Sequence, residues 1–397
     1  MIFPDLSIII VSKKAQGGAE MSLKFLFPID GDFVNSREGN WQGGALYIDV
    51  MLAAEERSLS VCGIPAVFDP ALGCYTAQVP LYGYRNRITA KTDTEECGIT
   101  VFVTPEENLK KYRLSSDDNI RFLQELTQGD YASIFDHPYL AVYKKAHDLY
   151  GAKVHLNLFY EYDETYRSNF SDTPAYFNLS MMTDRYKEEF ISNSHWLKLA
   201  FHSRSEYPAK PYLNADGKTV REDCIAVCRE VCRFAGKECI SNSTTVHWGE
   251  GNREVIRALR AMGFTSLTGY FMKNNANEPI VSYYADSELT DHIGARDFWM
   301  DTQEDMIFGR IDSVLNAKPL DEILQEVTEA AEDPHRGGFV SIMIHEQYFY
   351  KDYKWYLPDF ENRVLRSCKI LADRCYTGAH VSEVTAQRPL ADNPAFQ

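Results

Sequence analysis

The sequence predicts two domains of different class, an antiparallel β-sandwich followed by a larger α/β domain. From about residue 23 to residue 104, short runs of alternating apolar and polar residues are separated by Gly, Pro, Asn and Asp, which is typical of antiparallel strands. From residue 112 onwards, apolar runs rich in β-formers alternate with amphipathic helical stretches, which indicates parallel strands joined by crossover helices. This second pattern fits a β/α barrel or a doubly wound sheet.

The N-terminal domain is predicted to span residues 21–106. About seven short strands in roughly 80 residues favour an immunoglobulin-like sandwich, although Cys62, Cys74 and Cys97 do not have the spacing of an antibody-type disulfide. We expect this domain to have a structural role, with glycan binding and oligomer formation through it left open as alternatives. The apolar run within residues 1–20 is too short for a secretory signal or a membrane span. These residues are interpreted as a poorly defined extension, because a much more regular pattern begins at Met21.

Composition limits the partners of the chain. Its 397 residues contain 41 Lys and Arg against 57 Asp and Glu, a formal charge of −16, and no local basic stripe that would attract a phosphate backbone. Nucleic acid is therefore not expected as a partner, and a membrane is not expected because the sequence shows no apolar run long enough to span one. The nine scattered cysteines do not resemble a disulfide framework, so reduced thiols and a cytoplasmic location are predicted.

Candidate metal ligands lie where predicted parallel strands end, which is where α/β domains place their chemistry. The first strand of the second domain ends in Asp117 and Asp118, two adjacent carboxylates that repel each other unless a cation or proton lies between them. A later strand ends in His202, with Glu206 four residues further on. On a turn or helix start this spacing places both side chains on one side, where they could share a divalent ion with Asp118. A helix N-cap and a structural histidine remain the alternatives.

Candidate substrate-binding residues follow two further strands. His247 and Trp248 end a strand before a clear helix, and the last strand ends in His345 and Glu346. A run of aromatic residues that begins with Tyr348 comes directly afterwards. Aromatic side chains beside titratable groups suit sugar rings, whose CH faces stack on them. We predict that His247, Trp248, Glu346 and Tyr348 contact a carbohydrate; the alternative is a tyrosine-rich loop that packs internally.

The order of these motifs resembles that of the polysaccharide deacetylases, the NodB-like carbohydrate esterases. That family carries T-F-D-D-G, then H-[ST]-x-x-H, then R-x-P-Y-G, then an aspartate-bearing segment and finally L-x-H. This chain shows SSDDN, HSRSE, VHWGEGN and MIHE in the same order between about residues 112 and 385. The resemblance implies an irregular β/α barrel of the NodB type over residues 107–397.

The resemblance also implies roles for individual residues. Asp117 corresponds to the general base, Asp118 and His202 to metal ligands, and His345 to the general acid. Glu206 occupies the position of the family's second histidine ligand. A set of Asp, His and Glu can bind a divalent ion, with zinc the favoured metal.

The third motif departs from the family pattern. Where the family has an Arg, this chain has Thr245 or Val246. The resemblance implies that Asp301 corresponds to the family's aspartate that orients the base through this Arg, which gives Asp301 a supporting role.

The expected activity is that of a metal-dependent hydrolase that removes N- or O-acetyl groups from a sugar or polysaccharide by means of metal-activated water. Two alternatives stay open. The missing Arg favours a catalytically degenerate carbohydrate-binding protein. A glycoside hydrolase could instead use Asp117 with Glu206 or Glu346 as its paired carboxylates.

Overall fold

The computed structural model describes residues 23–55 and 58–385. The predicted extension over residues 1–20 lies outside these residues. The chain divides into two compact units, with the boundary between Glu106 and Glu107. Among the described helices, none has the length and apolar character needed to cross a membrane.

The N-terminal unit consists of short and medium-length strands. Its strands are β1 (Lys24–Phe27), β2 (Phe33–Val34), β3 (Gly39–Gln42), β4 (Ala45–Ala53), β5 (Ser60–Val61), β6 (Ile64–Pro65), β7 (Val67–Asp69), β8 (Cys74–Leu81), β9 (Arg85–Lys91) and β10 (Glu96–Val103).

These strands form two sheets that enclose one core. One sheet has the order β1-β4-β8-β7, with β3 also paired to β4, and the other has the order β2-β10-β9-β5-β6. The pairings are antiparallel except that of β10 with β2. Ile48 and Val79 of the first sheet share a hydrophobic cluster with Ile88 and Val101 of the second. Because apolar residues of both sheets meet in this cluster, the unit is a β-sandwich; its immunoglobulin-like character stays a prediction.

The second unit alternates strands and helices. Its strands are β11 (Lys111–Asn119), β12 (Val154–Phe159), β13 (Leu197–Ser203), β14 (Ser243–Thr244), β15 (Ser266–Gly269), β16 (Met272–Lys273), β17 (Pro279–Ile280), β18 (Phe298–Asp301), β19 (Met306–Arg310), β20 (Ser313–Val314), β21 (Phe339–His345) and β22 (Thr377–Gly378). Its α-helices are α1 (Arg121–Gln128), α2 (Pro138–Tyr150), α3 (Glu164–Arg167), α4 (Lys187–Asn193), α5 (Gly217–Phe234), α6 (Arg253–Ala261), α7 (Ser287–Gly294), α8 (Leu320–Glu332), α9 (Phe360–Asp373) and α10 (Val381–Val384).

The parallel strands of this unit close into a ring. The order β13-β12-β11-β21-β20 forms one arc, and β14-β15-β19 forms the other. The Ser241 amide donates to the Leu199 carbonyl at 2.9 Å and joins the arcs on one side. On the other side the chain runs directly from β19 to β20, so that Ile311 donates to Gly269 at 2.7 Å while the next residue, Asp312, donates to strand β21. The structure is thus a β/α barrel and not a doubly wound sheet.

The hydrophobic core of this unit lies between the barrel strands and the helices. Tyr112 and Leu114 of β11 belong to the same buried cluster as Val142 and Tyr143 of α2. Because side chains alternate along a strand, the intervening residues of β11 face the barrel interior. Asp117 and Asp118 lie at the carboxyl end of β11 and therefore at the barrel mouth, where the carboxyl ends of the parallel strands meet.

Candidate metal centre

The end of β11 is irregular, and the irregularity brings Asp117 and Asp118 together. Consecutive side chains of a regular strand point to opposite faces. Here the register with β12 shifts between Ser116 and Asn119, and Asp118 has a φ of 62°, in the left-handed region that non-glycine residues rarely adopt. The side-chain amide of Asn119 donates through Nδ2 to the main-chain carbonyls of Ser116 at 2.6 Å and Asn157 at 3.0 Å. These two hydrogen bonds hold the irregular end of the strand in place.

Three buried side chains converge above this strand end. The Asp118 Oδ1 atom lies 3.1 Å from His202 Nε2 and 3.5 Å from His247 Nδ1, and the two imidazole nitrogens are 3.0 Å apart. A tetrahedral ion with bonds of about 2.0–2.2 Å holds its donor atoms about 3.4 Å apart. The triangle formed by Asp118, His202 and His247 therefore has the size that a zinc-like ion requires.

Backbone carbonyls fix the tautomer of both imidazoles. His202 Nδ1 lies 2.5 Å from the Thr245 carbonyl, and His247 Nε2 lies 3.0 Å from the Glu206 carbonyl. A carbonyl only accepts hydrogen bonds, so each of these nitrogens carries a hydrogen. In the neutral ring the other nitrogen then presents a lone pair. Two nitrogen lone pairs and a carboxylate oxygen thus face one another, an arrangement that calls for a cation or a proton between them.

The electrostatics of the cluster favour positive charge beside Asp118. Burial opposes ionisation of Asp118, but the neighbouring His345, His202 and His247 outweigh burial and hold the pKa of Asp118 well below its usual value. Burial also opposes protonation of His202, yet the Asp117 and Asp118 carboxylates raise its pKa overall. For His247, burial prevails and lowers the pKa. Of the two imidazoles, His202 therefore has the higher affinity for a proton, and the site as a whole favours positive charge beside Asp118.

Amide side chains orient both aspartates. Gln347 Nε2 donates to Asp118 Oδ2 at 2.7 Å, so that Oδ1 remains directed at the two imidazoles. Asn157 Nδ2 donates to Asp117 Oδ1 at 2.6 Å. Each carboxylate therefore has one oxygen bound by an amide and the other available for the chemistry of the site.

His345 is directed at the same cluster from β21. Its backbone amide donates to Asn316 Oδ1 at 3.1 Å, which identifies that atom as the amide oxygen. The ring atom Nδ1 lies 2.9 Å from the same oxygen and is therefore a donor. The opposite ring atom, Nε2, lies 3.9 Å from Asp118 Oδ2.

The structure differs from the sequence prediction in the third metal ligand. His247, which was expected to bind substrate, completes the cluster in place of the Glu206 carboxylate. Glu206 offers His247 its main-chain carbonyl, while its side-chain Oε2 is buried with no hydrogen-bond partner among the described residues. Burial, together with the Asp118 and Asp163 carboxylates, raises the pKa of Glu206 to about 9. The prediction assumed a turn or helix start after His202, whereas this segment is an irregular loop.

Glu346 also differs from its predicted role in substrate binding. Its carboxylate is fully buried and accepts hydrogen bonds from the backbone amides of residues 120–122 and from the Tyr350 hydroxyl. The carboxylate thereby provides hydrogen-bond acceptors for the backbone amides at the N-terminus of α1, which have no partner within the helix. Burial raises its pKa to about 7 despite these hydrogen bonds. Because Glu346 is directed at α1, it is not placed to act as the second carboxylate of a glycoside hydrolase.

Asp301 lies at the end of β18, the antiparallel partner of β19. Its carboxylate accepts hydrogen bonds from the Tyr284 hydroxyl at 2.5 Å, from Arg253 at 2.9 Å, and from the amides of the turn that follows it. These contacts give Asp301 a role in the β18–β19 hairpin. The predicted support of Asp117 is not among them.

Two predicted aromatic residues lie beside the histidines of the site. The Trp248 ring is 46% exposed, and its centroid lies 5.9 Å from that of His247. The half-buried Tyr348 ring has its centroid 6.1 Å from that of His345. These positions are compatible with the predicted contact with substrate.

Sequence reasoning did not find the amides that position the site. Asn157 gives a readable signal, because it and His155 are the two polar residues in the apolar run of β12. Gln347 follows the predicted strand end at His345 and Glu346, but local pattern does not indicate that it contacts Asp118. Asn316 lies between β20 and α8 and carries no signal of its own.

No family model matches the chain, and the comparison with curated proteins gives no match. Solved structures similar to it include a CE4 family pseudoenzyme from Bacillus anthracis, with 10% identity over 81% of this chain and 88% of that chain and a TM-score of 0.33. They also include a family 4 acetyl xylan esterase from Clostridium thermocellum in complex with a cobalt ion, with 10% identity over 69% of this chain and 90% of that chain and a TM-score of 0.36. A 4-alpha-glucanotransferase from Thermococcus litoralis is similar with 11% identity over 70% of this chain and 40% of that chain and a TM-score of 0.41.

Proposed function

We propose that this protein is a metal-dependent hydrolase that removes an N- or O-acetyl group from a sugar or polysaccharide. The observation that carries the proposal is the convergence of two imidazole lone pairs and a carboxylate oxygen at the mouth of the barrel. The order of motifs along the chain, which resembles that of the NodB-like esterases, supports the choice of an acyl group on a carbohydrate as substrate.

Asp118, His202 and His247 would hold the ion. Two nitrogen donors and one oxygen donor form a ligand set that zinc accepts, and three protein ligands leave a coordination position open for catalysis. A bound divalent ion polarises a carbonyl group and lowers the pKa of a coordinated water towards about 7. Zinc is therefore the proposed metal.

Asp117 and His345 would move the protons. Asn157 binds Asp117 Oδ1, so that the second oxygen of Asp117 can accept the proton of the attacking water. Asn316 accepts the Nδ1 hydrogen of His345, which directs Nε2 towards the cluster. A proton on Nε2 can pass to the amine or alkoxide as the carbon–nitrogen or carbon–oxygen bond of the acyl group breaks. The products are acetate and the deacetylated sugar.

Acetate release from acetylated chito- and xylo-oligosaccharides by the zinc-loaded protein tests the proposal. Asp117→Asn and His345→Gln should abolish turnover while zinc stays bound, because neither residue is a ligand in the cluster. His247→Ala should lose both zinc and turnover. A zinc-loaded wild type that releases no acetate from either class of substrate would contradict the proposed activity.

A carbohydrate-binding protein without turnover is the second candidate. The observation that favours it is that Asp117 accepts its 2.6 Å hydrogen bond from the neutral amide of Asn157, whereas the resembled family carries an Arg in its third motif. Binding of the same oligosaccharides without acetate release would support this candidate.

A further inference from the structure

A series of aromatic rings leads from His345 to the protein surface. Ring centroids are 6.1 Å apart between His345 and Tyr348, 5.2 Å between Tyr348 and Tyr353, and 5.6 Å between Tyr353 and Trp355. Tyr353 is buried, whereas the Trp355 side chain is 56% exposed. The series therefore ends in a large apolar side chain that lies in water.

The segment that carries these rings is held by backbone hydrogen bonds. The amide of Tyr353 donates to Tyr350 at 3.0 Å, that of Tyr356 donates to Tyr353 at 3.0 Å, and that of Leu357 donates to Tyr348 at 2.9 Å. Tyr353 also forms a β-bridge with Phe170. A fixed backbone restricts the positions open to the Trp355 ring, which lowers the entropic cost of binding a ligand to it.

A second exposed tryptophan reaches the barrel mouth from a distant strand. Trp248 directly follows the cluster residue His247 in the segment between β14 and α6, and it is 46% exposed. In the order of strands around the barrel, β15 and the β19–β20 segment lie between β14 and β21 on one side. Strands β11 to β13 lie between β14 and β21 on the other side. Trp248 and Trp355 therefore approach the mouth from well-separated parts of the barrel.

We propose that the barrel mouth binds a glycan chain several sugar rings long, and that Trp355 is a stacking platform for a ring remote from the metal. This inference rests on the proposed carbohydrate function of the site. An exposed indole buries its apolar face when the CH face of a sugar covers it. The Lys354 Nζ atom lies over the Trp355 ring at 3.8 Å from its centroid, so the sugar would stack on the opposite face.

Calorimetric binding to the zinc-loaded full chain tests this platform. The probes are N-acetylated chito-oligosaccharides from the monosaccharide to the hexasaccharide. Wild-type affinity should rise with chain length, and Trp355→Ala should weaken hexasaccharide binding about tenfold with little change for the monosaccharide, since one stacking contact is lost. Trp355→Phe should keep part of the gain. Trp41→Ala, which removes a 40%-exposed tryptophan of the N-terminal unit, should bind like wild type.

The outcomes separate this inference from the proposed hydrolysis. If Trp355→Ala, with an unchanged thermal midpoint, binds every chain length as wild type does, the platform is overturned even where acetate is released. If wild type binds no oligosaccharide better than the monosaccharide, the extended subsite is likewise overturned. Trp355-dependent binding without acetate release would support the platform and contradict the hydrolase.

Discussion

At the scale of single residues, the candidate site depends on which nitrogen of each imidazole carries its hydrogen. His202 and His247 donate to main-chain carbonyls, one through Nδ1 and the other through Nε2. The opposite nitrogen of each ring therefore presents its lone pair beside Asp118. Because the acceptors of these hydrogen bonds are main-chain carbonyls, a substitution of the Thr245 or Glu206 side chain can preserve the orientation of the rings. The loss of either imidazole instead removes a nitrogen donor from the cluster.

The identity of the third ligand gives the first prediction. His247→Ala should lose bound zinc as completely as His202→Ala does, because each variant removes one of three donors. Glu206→Gln should retain zinc, since the contribution of Glu206 to the cluster is its main-chain carbonyl. Zinc content after gel filtration measures this directly. Retention of zinc by His247→Ala together with its loss from Glu206→Gln would restore the ligand set that the sequence predicted.

The second prediction concerns the amide that orients Asp118. Gln347→Leu should weaken zinc binding about 10- to 100-fold, because Asp118 Oδ2 loses its hydrogen-bond donor. Competition with a chelator gives the dissociation constants. Gln325→Leu, at an exposed position of α8, is the matched control and should leave zinc affinity unchanged. Equal affinities in Gln347→Leu and wild type would show that the contact has no such role.

At the scale of secondary-structure elements, the end of β11 must hold two adjacent carboxylates on one side of the strand. Asn119 stabilises this irregular end through two main-chain carbonyls, and its own oxygen accepts a hydrogen bond from Tyr139 at 2.6 Å. These contacts hold Asn119, the residue after Asp118, and so maintain the left-handed backbone conformation of Asp118. Conformational strain of this kind persists only where surrounding contacts enforce it.

Asn119→Ala therefore gives the third prediction. Loss of these buried hydrogen bonds should lower the free energy of unfolding by about 2–4 kcal/mol. Urea denaturation measures the change. Asn40→Ala, at an exposed position of β3, should alter it by no more than about 0.5 kcal/mol. Similar stabilities of the two variants would mean that the strand end is not held in this way.

The fourth prediction concerns a buried pair of histidines, one in β12 and the other at the N-cap of α10. His155 Nε2 lies 2.8 Å from His380 Nδ1. Burial, reinforced by nearby positive groups that include Arg113, holds the pKa of both imidazoles well below the usual value. Below about pH 6.5 the unfolded chain therefore binds protons that the folded chain does not. The contribution of the pair to stability is present above that pH and is lost as the pH falls.

Unfolding free energies at pH 7.5 and pH 5.5 test the histidine pair. Each imidazole that stays neutral should cost about 1.4 kcal/mol per pH unit below its unfolded pKa. The difference between the two pH values should therefore be larger in wild type than in the double variant His155→Gln/His380→Gln. The comparison between proteins matters because Glu206 and Glu346, whose pKa values are raised, contribute with the opposite sign. Parallel pH profiles would contradict the prediction.

At the scale of the whole molecule, the sequence predicted the change from alternating strands to strand–helix units and located polar residues at strand ends. Local periodicity carries that information, because it reflects which face of each element is buried. Closure of the barrel depends instead on pairings between distant segments, such as the one between Ser241 and Leu199. That closure brings His247 to His202, a contact between residues 45 positions apart. Spacing along the chain favoured Glu206 because Glu206 is close to His202 in the sequence. The same spacing could not indicate His247, because its contact with His202 depends on closure of the barrel.

The most direct test of the proposed metal centre is X-ray absorption at the zinc edge, with metal analysis of the same full-length sample. We expect about one zinc per chain, bound by two imidazole nitrogens and one carboxylate oxygen at about 2.0–2.2 Å. A stoichiometry near zero in protein prepared with zinc and without chelator, or a spectrum without imidazole ligands, would contradict the metal centre and the hydrolysis proposed from it.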